Sequence, residues 1–267
     1  MAASVSPAAL HSVTLQPTIV YGPVRSRRLG LSLGVNPLPA RYKLCSFNCP
    51  YCQYPWTRER RPEVALRRGE LPGRQAIVAA VERALRRLRR HGPRLNALTL
   101  AGNGEPTLHP EFPALMRDLC EVRARWYPRA RLAVLSNSST LGDPQVRAAL
   151  ELADDRLLKL DAGRPELFQK VNLPMPGITL DEIVRNLART AGVTIQTMFI
   201  RGLVDNTQPK AVEAWQDCLM EIRPLAVQVY SLDRTPVAPG IEAVPRADLE
   251  AIGLETERRT GVPTGVY

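Results

Sequence analysis

The chain has 267 residues, 45% of them hydrophobic and 23% charged, enough for one sizeable core and ordinary for a globular protein in water. No stretch approaches the roughly 18 consecutive apolar residues of a membrane helix. The net charge of +10 suggests an acidic partner such as RNA, yet only Lys43, Lys159, Lys170 and Lys210 among the 36 basic residues are lysines. Such an arginine-, alanine-, leucine- and proline-rich composition needs no selection for nucleic acid. The run Arg86, Arg87, Arg89 and Arg90 lies on a predicted helix, where a solvated face is expected.

Residues 1–20 read as a leader with neither the basic and apolar regions of a secretory signal nor the arginines of a transit peptide, which predicts a cytoplasmic protein. Strands and helices then alternate. Residues 31–35 are a first strand, 74–90 an amphipathic helix with Ile77, Val78, Val81 and Leu85 on one face, and 95–101 a second strand. Helix 111–126, strand 131–135, helix 144–152 and strand 156–160 follow. Thr179 and Glu182 make a capping-box pattern at the start of helix 180–191. Strand 193–200, helix 210–222, strand 226–232 and a closing helix at 247–260 complete the pattern. Six β-α units in series predict an α/β fold of parallel strands in one domain spanning the chain. The first strand lacks a glycine-rich dinucleotide loop, so a closed or partial β/α barrel fits better than an open nucleotide-binding sheet.

Three of the five cysteines, Cys45, Cys49 and Cys52, fall in one loop with C-x3-C-x2-C spacing. Soft thiolates suit iron–sulfur clusters, and electron-transfer [4Fe–4S] clusters ordinarily take four cysteines. Nothing nearby supplies a fourth, so three ligands leave one iron open to a small chelating molecule. Zinc on three thiolates and a histidine is the competing reading, but His11, His91 and His109 pair neither with one another nor with the cysteines. Cys120 and Cys218 sit singly in helical patterns, where a buried thiol packs as a small apolar group.

With Tyr51 as the aromatic residue before Cys52, this loop resembles the signature of the radical S-adenosylmethionine (SAM) enzymes. The resemblance implies a partial (β/α)6 TIM-like barrel and a [4Fe–4S] cluster whose open iron chelates the amino and carboxylate groups of SAM. It also implies reductive cleavage of SAM to methionine and a 5′-deoxyadenosyl radical, with flavodoxin or ferredoxin as electron donor. Gly102-Asn103-Gly104-Glu105, after the second strand, is similar to the family's glycine–glutamate motif that holds the methionyl amine, with Gly104 and Glu105 the matching positions. The stretch from Tyr21 to Pro37 resembles the branch grouped with wybutosine-base (4-demethylwyosine) synthases. No cysteine precedes Cys45, unlike archaeal wybutosine-base synthases, which argues against wybutosine synthesis itself.

Ligands of parallel β/α folds gather at the C-terminal ends of strands, which singles out polar residues there. Ser136 and Asn137 end the third strand and could meet ribose or carboxylate, or cap the next helix. Lys159 and Asp161 share one face of the fourth strand, so a barrel interior there requires a buried ion pair or a ligand contact. Gln196 with Met198, and Gln228 with Tyr230, project similarly from strands five and six toward adenosine, substrate or lumen packing. Arg25, Arg27 and Arg28 either bind an anionic substrate or form a basic surface turn. The reading from a different class is a noncatalytic RNA-binding module stabilised by zinc or an iron–sulfur cluster. The glycine–glutamate motif argues against it, because a scaffold has no need for one.

Overall fold

The computed structural model describes residues 14–57, 59 and 61–267; the first thirteen residues of the expected leader lie outside them. The strands β1 (Val20–Ser26) and β2 (Gly30–Val35) form an antiparallel hairpin. Next come α1 (Pro62–Arg67), α2 (Arg74–His91), β3 (Ala97–Leu100), α3 (Phe112–Trp126), β4 (Arg131–Ser136), α4 (Pro144–Leu150) and β5 (Asp155–Lys159). Then follow α5 (Pro165–Asn172), α6 (Leu180–Ala188), β6 (Val193–Met198), β7 (Ile200–Gly202), α7 (Pro209–Ile222) and β8 (Ala226–Tyr230). The last elements are β9 (Ile241–Ala243), α8 (Arg246–Thr260) and β10 (Thr264–Val266).

One sheet runs in the order β1-β2-β3-β4-β5-β6-β8-β10, and every pairing from β2 onward is parallel. All four residues of β3 (Ala97-Leu98-Thr99-Leu100) are buried, as expected for a parallel strand covered on both faces. Helix α2 buries Ile77, Val81, Leu85 and Leu88, a single apolar stripe, and packs on α3, which buries Leu115, Leu119 and Val122. The helical crossovers return each strand in the same direction. The loops leaving β2, β3, β4, β5, β6 and β8 therefore open on one face, where ligands of such folds collect. Among the described residues β1 and β10 stay unpaired with each other, so the barrel is partial.

The structure departs from the predicted elements in several places. Hairpin strand β1 carries an irregularity between Tyr21 and Val24, which removes the alternation that would have announced it. Strand β10 is only three residues long and owes its place to pairing with β8, so the sheet holds a seventh parallel strand. The short α5 is likewise absent from the helical pattern read above. The strand expected over 193–200 breaks after Met198 because the Asn206 side chain substitutes for ladder partners. Its Oδ1 accepts from Ile200 N at 2.8 Å and its Nδ2 donates to Met198 O at 2.8 Å. Strand β7 then turns away to pair with β9.

The capping box at Thr179 is present as a hydrogen bond from Glu182 N to Thr179 Oγ1 at 3.3 Å, while the helix ends three residues early at Ala188. Trp215 of α7 is buried, stacks edge-to-face on Phe199 with centroids 5.2 Å apart, and donates Nε1 to Leu160 O at 3.1 Å. This contact brings α7 hard against the end of β5. A Cβ at Gly163 would lie 2.2 Å from the backbone of Ala214 and Trp215. Gly163→Ala is therefore expected to destabilise the fold by about 1–3 kcal/mol through overpacking, read as a lower urea midpoint.

Candidate metal and cofactor site

The cysteine loop between β2 and α1 is held by backbone bonds to three neighbours. Leu44 N donates to Asn103 O at 2.9 Å, and Glu105 N donates back to Leu44 O at 3.0 Å, joining the loop to the turn after β3. Gly104 makes that approach possible: its φ is +136°, and a Cβ there would lie 1.8 Å from Leu44 O. Met175 N donates to Ser46 O at 2.9 Å, tying in the turn after α5. Val237 N donates to Cys52 O at 2.8 Å and Ala238 N to Pro50 O at 3.1 Å, tying in the segment after β8.

Cys45 and Cys49 are buried and Cys52 is half-buried, and all three line one cavity of about 820 Å³ at the C-terminal ends of the strands. Phe47 N and Asn137 Nδ2 point at Cys45 Sγ from 3.4 and 3.5 Å, and Asn172 Nδ2 points at Cys49 Sγ from 3.5 Å. Such N–H groups stabilise negative sulfur. Burial pushes the free Cys45 thiol up to about 12 and raises Cys49 in the same direction. Lys43 is buried beside the three sulfurs; burial alone would lower its pKa, and negative charge on Cys52, Cys45 and Cys49 holds it up. A buried ammonium among three soft donors fits a site whose sulfurs are anionic, as metal-bound thiolates are. Among the described residues no three His, Cys, Asp or Glu side chains converge on a single-ion site; the thiols open instead on the shared cavity.

Of the residues singled out at strand ends, Tyr51, Gly104, Asn137, Lys159, Gln196, Met198 and Tyr230 line this cavity together with the cysteines. Glu105, Ser136, Asp161 and Gln228 stand behind that wall. The Glu105 carboxylate is buried: Oε1 accepts from Thr107 N at 3.1 Å and Oγ1 at 2.5 Å, and Oε2 accepts from Asn137 N at 2.5 Å. Burial raises its pKa against these hydrogen bonds, which lower it. Glu105 thus braces the turns after β3 and β4, while Gly102 and Gly104 present backbone to the cavity. Ser136 Oγ accepts from Ser138 N at 3.1 Å, and Gln228 Oε1 accepts from Gln196 Nε2 at 2.8 Å.

The expected buried ion pair is present, with Lys159 Nζ 3.5 Å from Asp161 Oδ1. Asp161 does more than neutralise it. Its carboxylate accepts from Tyr51 Oη of the cysteine loop, Asn172 Nδ2 of α5 at 2.7 Å and Met198 N of β6 at 2.9 Å. Lys159 also lies 3.4 Å from Tyr230 Oη and 5.2 Å from the centre of the Tyr51 ring. Burial would lower the Lys159 pKa; Asp161 raises it, with the net shift upward.

Sequence reasoning missed Lys43, although a lysine two residues before Cys45 in a chain with only four lysines was a usable signal. Asn172 left no such signal, because it belongs to the short α5 and reaches Cys49, Tyr51 and Asp161 only through folding. Arg25, Arg27 and Arg28 also line the cavity, at its mouth.

Two expectations follow from this packing. Asp161→Asn leaves Lys159 buried without its counter-charge, so the cluster-free protein should lose roughly 3 kcal/mol and melt at lower temperature in calorimetry. The raised thiols give the second. A free thiol titrates near about 8.5 in the unfolded chain. The folded protein therefore holds protons that the unfolded chain releases above that pH. Stability of the cluster-free protein should fall as pH rises from about 8 toward 11, seen as a declining urea midpoint.

Residues 41–213 match the family model for the radical SAM superfamily. A UPF0026 protein of Synechocystis is 33% identical over 219 residues, covering 79% of this chain and 74% of the relative. Among solved structures, a radical SAM methyltransferase from Sphaerobacter thermophilus superposes with a TM-score of 0.62 at 18% identity, covering 88% of this chain and 66% of that one. A structure of TYW1 with a lysine–pyruvate adduct bound superposes at 0.55 with 15% identity, covering 85% and 73%. These two show a shared fold. The family match extends over more than half of the sequence and includes the cysteine loop, the turn after β3 and strands β3 to β6. This chain therefore belongs to the radical SAM superfamily, enzymes that work with a [4Fe–4S] cluster and S-adenosylmethionine.

Proposed function

We propose that this enzyme carries its [4Fe–4S] cluster on Cys45, Cys49 and Cys52 and cleaves SAM reductively beside it, acting on a substrate held in the same cavity. When bound, the pair of cofactors supplies one-electron cleavage to methionine and a 5′-deoxyadenosyl radical able to abstract hydrogen. The observation that carries this reading is the convergence of three thiols and the Gly102–Gly104 turn on one cavity at the strand ends.

The chain's own residues hold and shield. Lys43 offsets negative sulfur, and Asn137 and Asn172 direct N–H groups at Cys45 and Cys49. Gly102 and Gly104 leave bare backbone where the methionyl end of SAM needs close approach. Glu105 keeps that turn in place from behind. Tyr51, Lys159, Gln196, Met198 and Tyr230 form the wall for adenosine and the adjoining substrate. An electron donor of the flavodoxin or ferredoxin kind would approach on the side of Cys52, the least buried of the three ligands. No helix among the described residues is long and apolar enough to cross a membrane.

Anaerobic reconstitution should load about four irons per chain, and a strong reductant with SAM should then yield 5′-deoxyadenosine and methionine. Alanine at Cys45, Cys49 or Cys52 should abolish both iron retention and 5′-deoxyadenosine formation. A fully loaded wild-type protein that forms no 5′-deoxyadenosine with several strong reductants would defeat the reading.

A further inference from the structure

The cavity has a second end. Away from the cysteines it is bordered by the β1–β2 turn, where Ser26 Oγ accepts from Arg28 N at 3.2 Å and Leu29 N at 3.1 Å. Arg27 crosses the open side of the barrel to meet Asp233 at 3.4 Å, pinning the turn to the segment after β8. Arg28 lays its guanidinium over the Tyr230 ring, 4.5 Å from its centre. The Tyr230 hydroxyl in turn lies 3.4 Å from Lys159. Arg28 thus stands one aromatic ring beyond the Lys159 group, on the wall of the same cavity.

Its Nη1 is buried and has no hydrogen-bond partner among the described residues. The guanidinium therefore has hydrogen-bonding capacity left over, and its place on the cavity wall over Tyr230 puts an acceptor from outside the chain within its reach. Charge on the lining agrees. Among the described residues Arg25, Arg27, Arg28, Arg234, Lys43 and Lys159 line the cavity, against a single acidic residue, Asp233. Lys43 faces the thiols, Lys159 is paired with Asp161, and Arg27 with Asp233. Among the described residues that leaves Arg25, Arg28 and Arg234 with no acidic side chain in an ion pair. Of the three, only Arg28 is half-buried, and Arg25 and Arg234 are exposed beside it at the mouth.

We propose that the substrate carries an oxyanion, a phosphate or a carboxylate, which Arg28 binds at the hairpin end of the cavity with Arg25 and Arg234 at its rim. The proposal rests on the cavity being the substrate chamber of a SAM-cleaving enzyme. A planar guanidinium stacked on an aromatic ring presents its N–H edge in a fixed direction, which suits an oxyanion better than a flexible ammonium would. The anchored group would hold the rest of the substrate along Tyr230 and Lys159, toward the cysteine end. The carboxylate of SAM belongs at that opposite end, so it does not satisfy Arg28.

The test uses reconstituted enzyme with SAM bound and titrates inorganic phosphate and, separately, acetate by calorimetry at low ionic strength. One of the two anions should bind saturably, and which one does so separates phosphate from carboxylate chemistry. Arg28→Ala should weaken that anion by about tenfold or more, and Arg28→Lys should recover part of the loss. The surface variant Arg87→Ala on α2 should leave it unchanged. SAM affinity of Arg28→Ala, measured in parallel, should move by less than about twofold. Lack of saturable binding by either anion, or equal binding in Arg28→Ala, overturns the proposal. So does a loss of SAM affinity matching the loss of anion affinity, since Arg28 would then serve the carboxylate of SAM. Formation of 5′-deoxyadenosine by the same preparation separates the two readings. A protein that makes 5′-deoxyadenosine but binds no anion at Arg28 keeps the radical chemistry and loses the oxyanion site. One that binds the anion but makes no 5′-deoxyadenosine does the reverse.

Discussion

The site depends on one buried carboxylate. Asp161 sits just past the end of β5 and receives hydrogen bonds from Tyr51 in the cysteine loop, Asn172 in α5 and Met198 in β6, together with the charge of Lys159. A buried carboxylate is tolerated only when its oxygens are fully engaged, and here each partner comes from a different element. The same bonds that make the charge acceptable therefore fix the position of the loop. Tyr51 lies between Cys49 and Cys52, so tethering its hydroxyl orients the cysteine segment against the barrel wall.

Glu105 performs a parallel task on the other side of the cavity. Its carboxylate clamps the turns after β3 and β4, and the backbone next to it pairs with Leu44 ahead of Cys45. Between these two braces the cysteine loop is held from both flanks, with Gly104 admitting the closest backbone approach. Glu105 and Asp161 thus both hold the loops that carry the cysteines and the glycine turn. The cavity is left lined by basic, aromatic and amide groups.

That division gives the cavity two ends of different character. At one end, buried thiols face Lys43 and the glycine turn; at the other, the β1–β2 hairpin brings arginines over Tyr230. Strand β1 of the hairpin belongs to no β-α unit. The hairpin partly covers the side that a closed barrel would seal with further strands, and its ion pair with Asp233 spans the gap. An incomplete barrel therefore has an entrance whose chemistry is set by a single turn.

The sequence by itself determined the class of fold, the cysteine loop and the turn that faces it. Those signals are local: alternating apolar runs, three cysteines within eight residues, and a glycine pair just after a strand. It also placed Lys159 and Asp161 on one face, because side-chain direction in a strand follows from counting. Only the tertiary structure decided that Glu105 and Asp161 brace loops from behind the wall, that Asn172 and Lys43 attend the sulfurs, and that Arg28 reaches Tyr230. Lys43 apart, these facts join residues distant in the chain, such as Cys49 with Asn172 or Arg28 with Tyr230. Short elements such as α5 and β10 were hidden for the same reason: packing stabilises them more than any pattern of their own. A strand's period says which way a side chain points. What it meets there depends on chain brought from elsewhere, and that is settled only when the partial barrel forms around it.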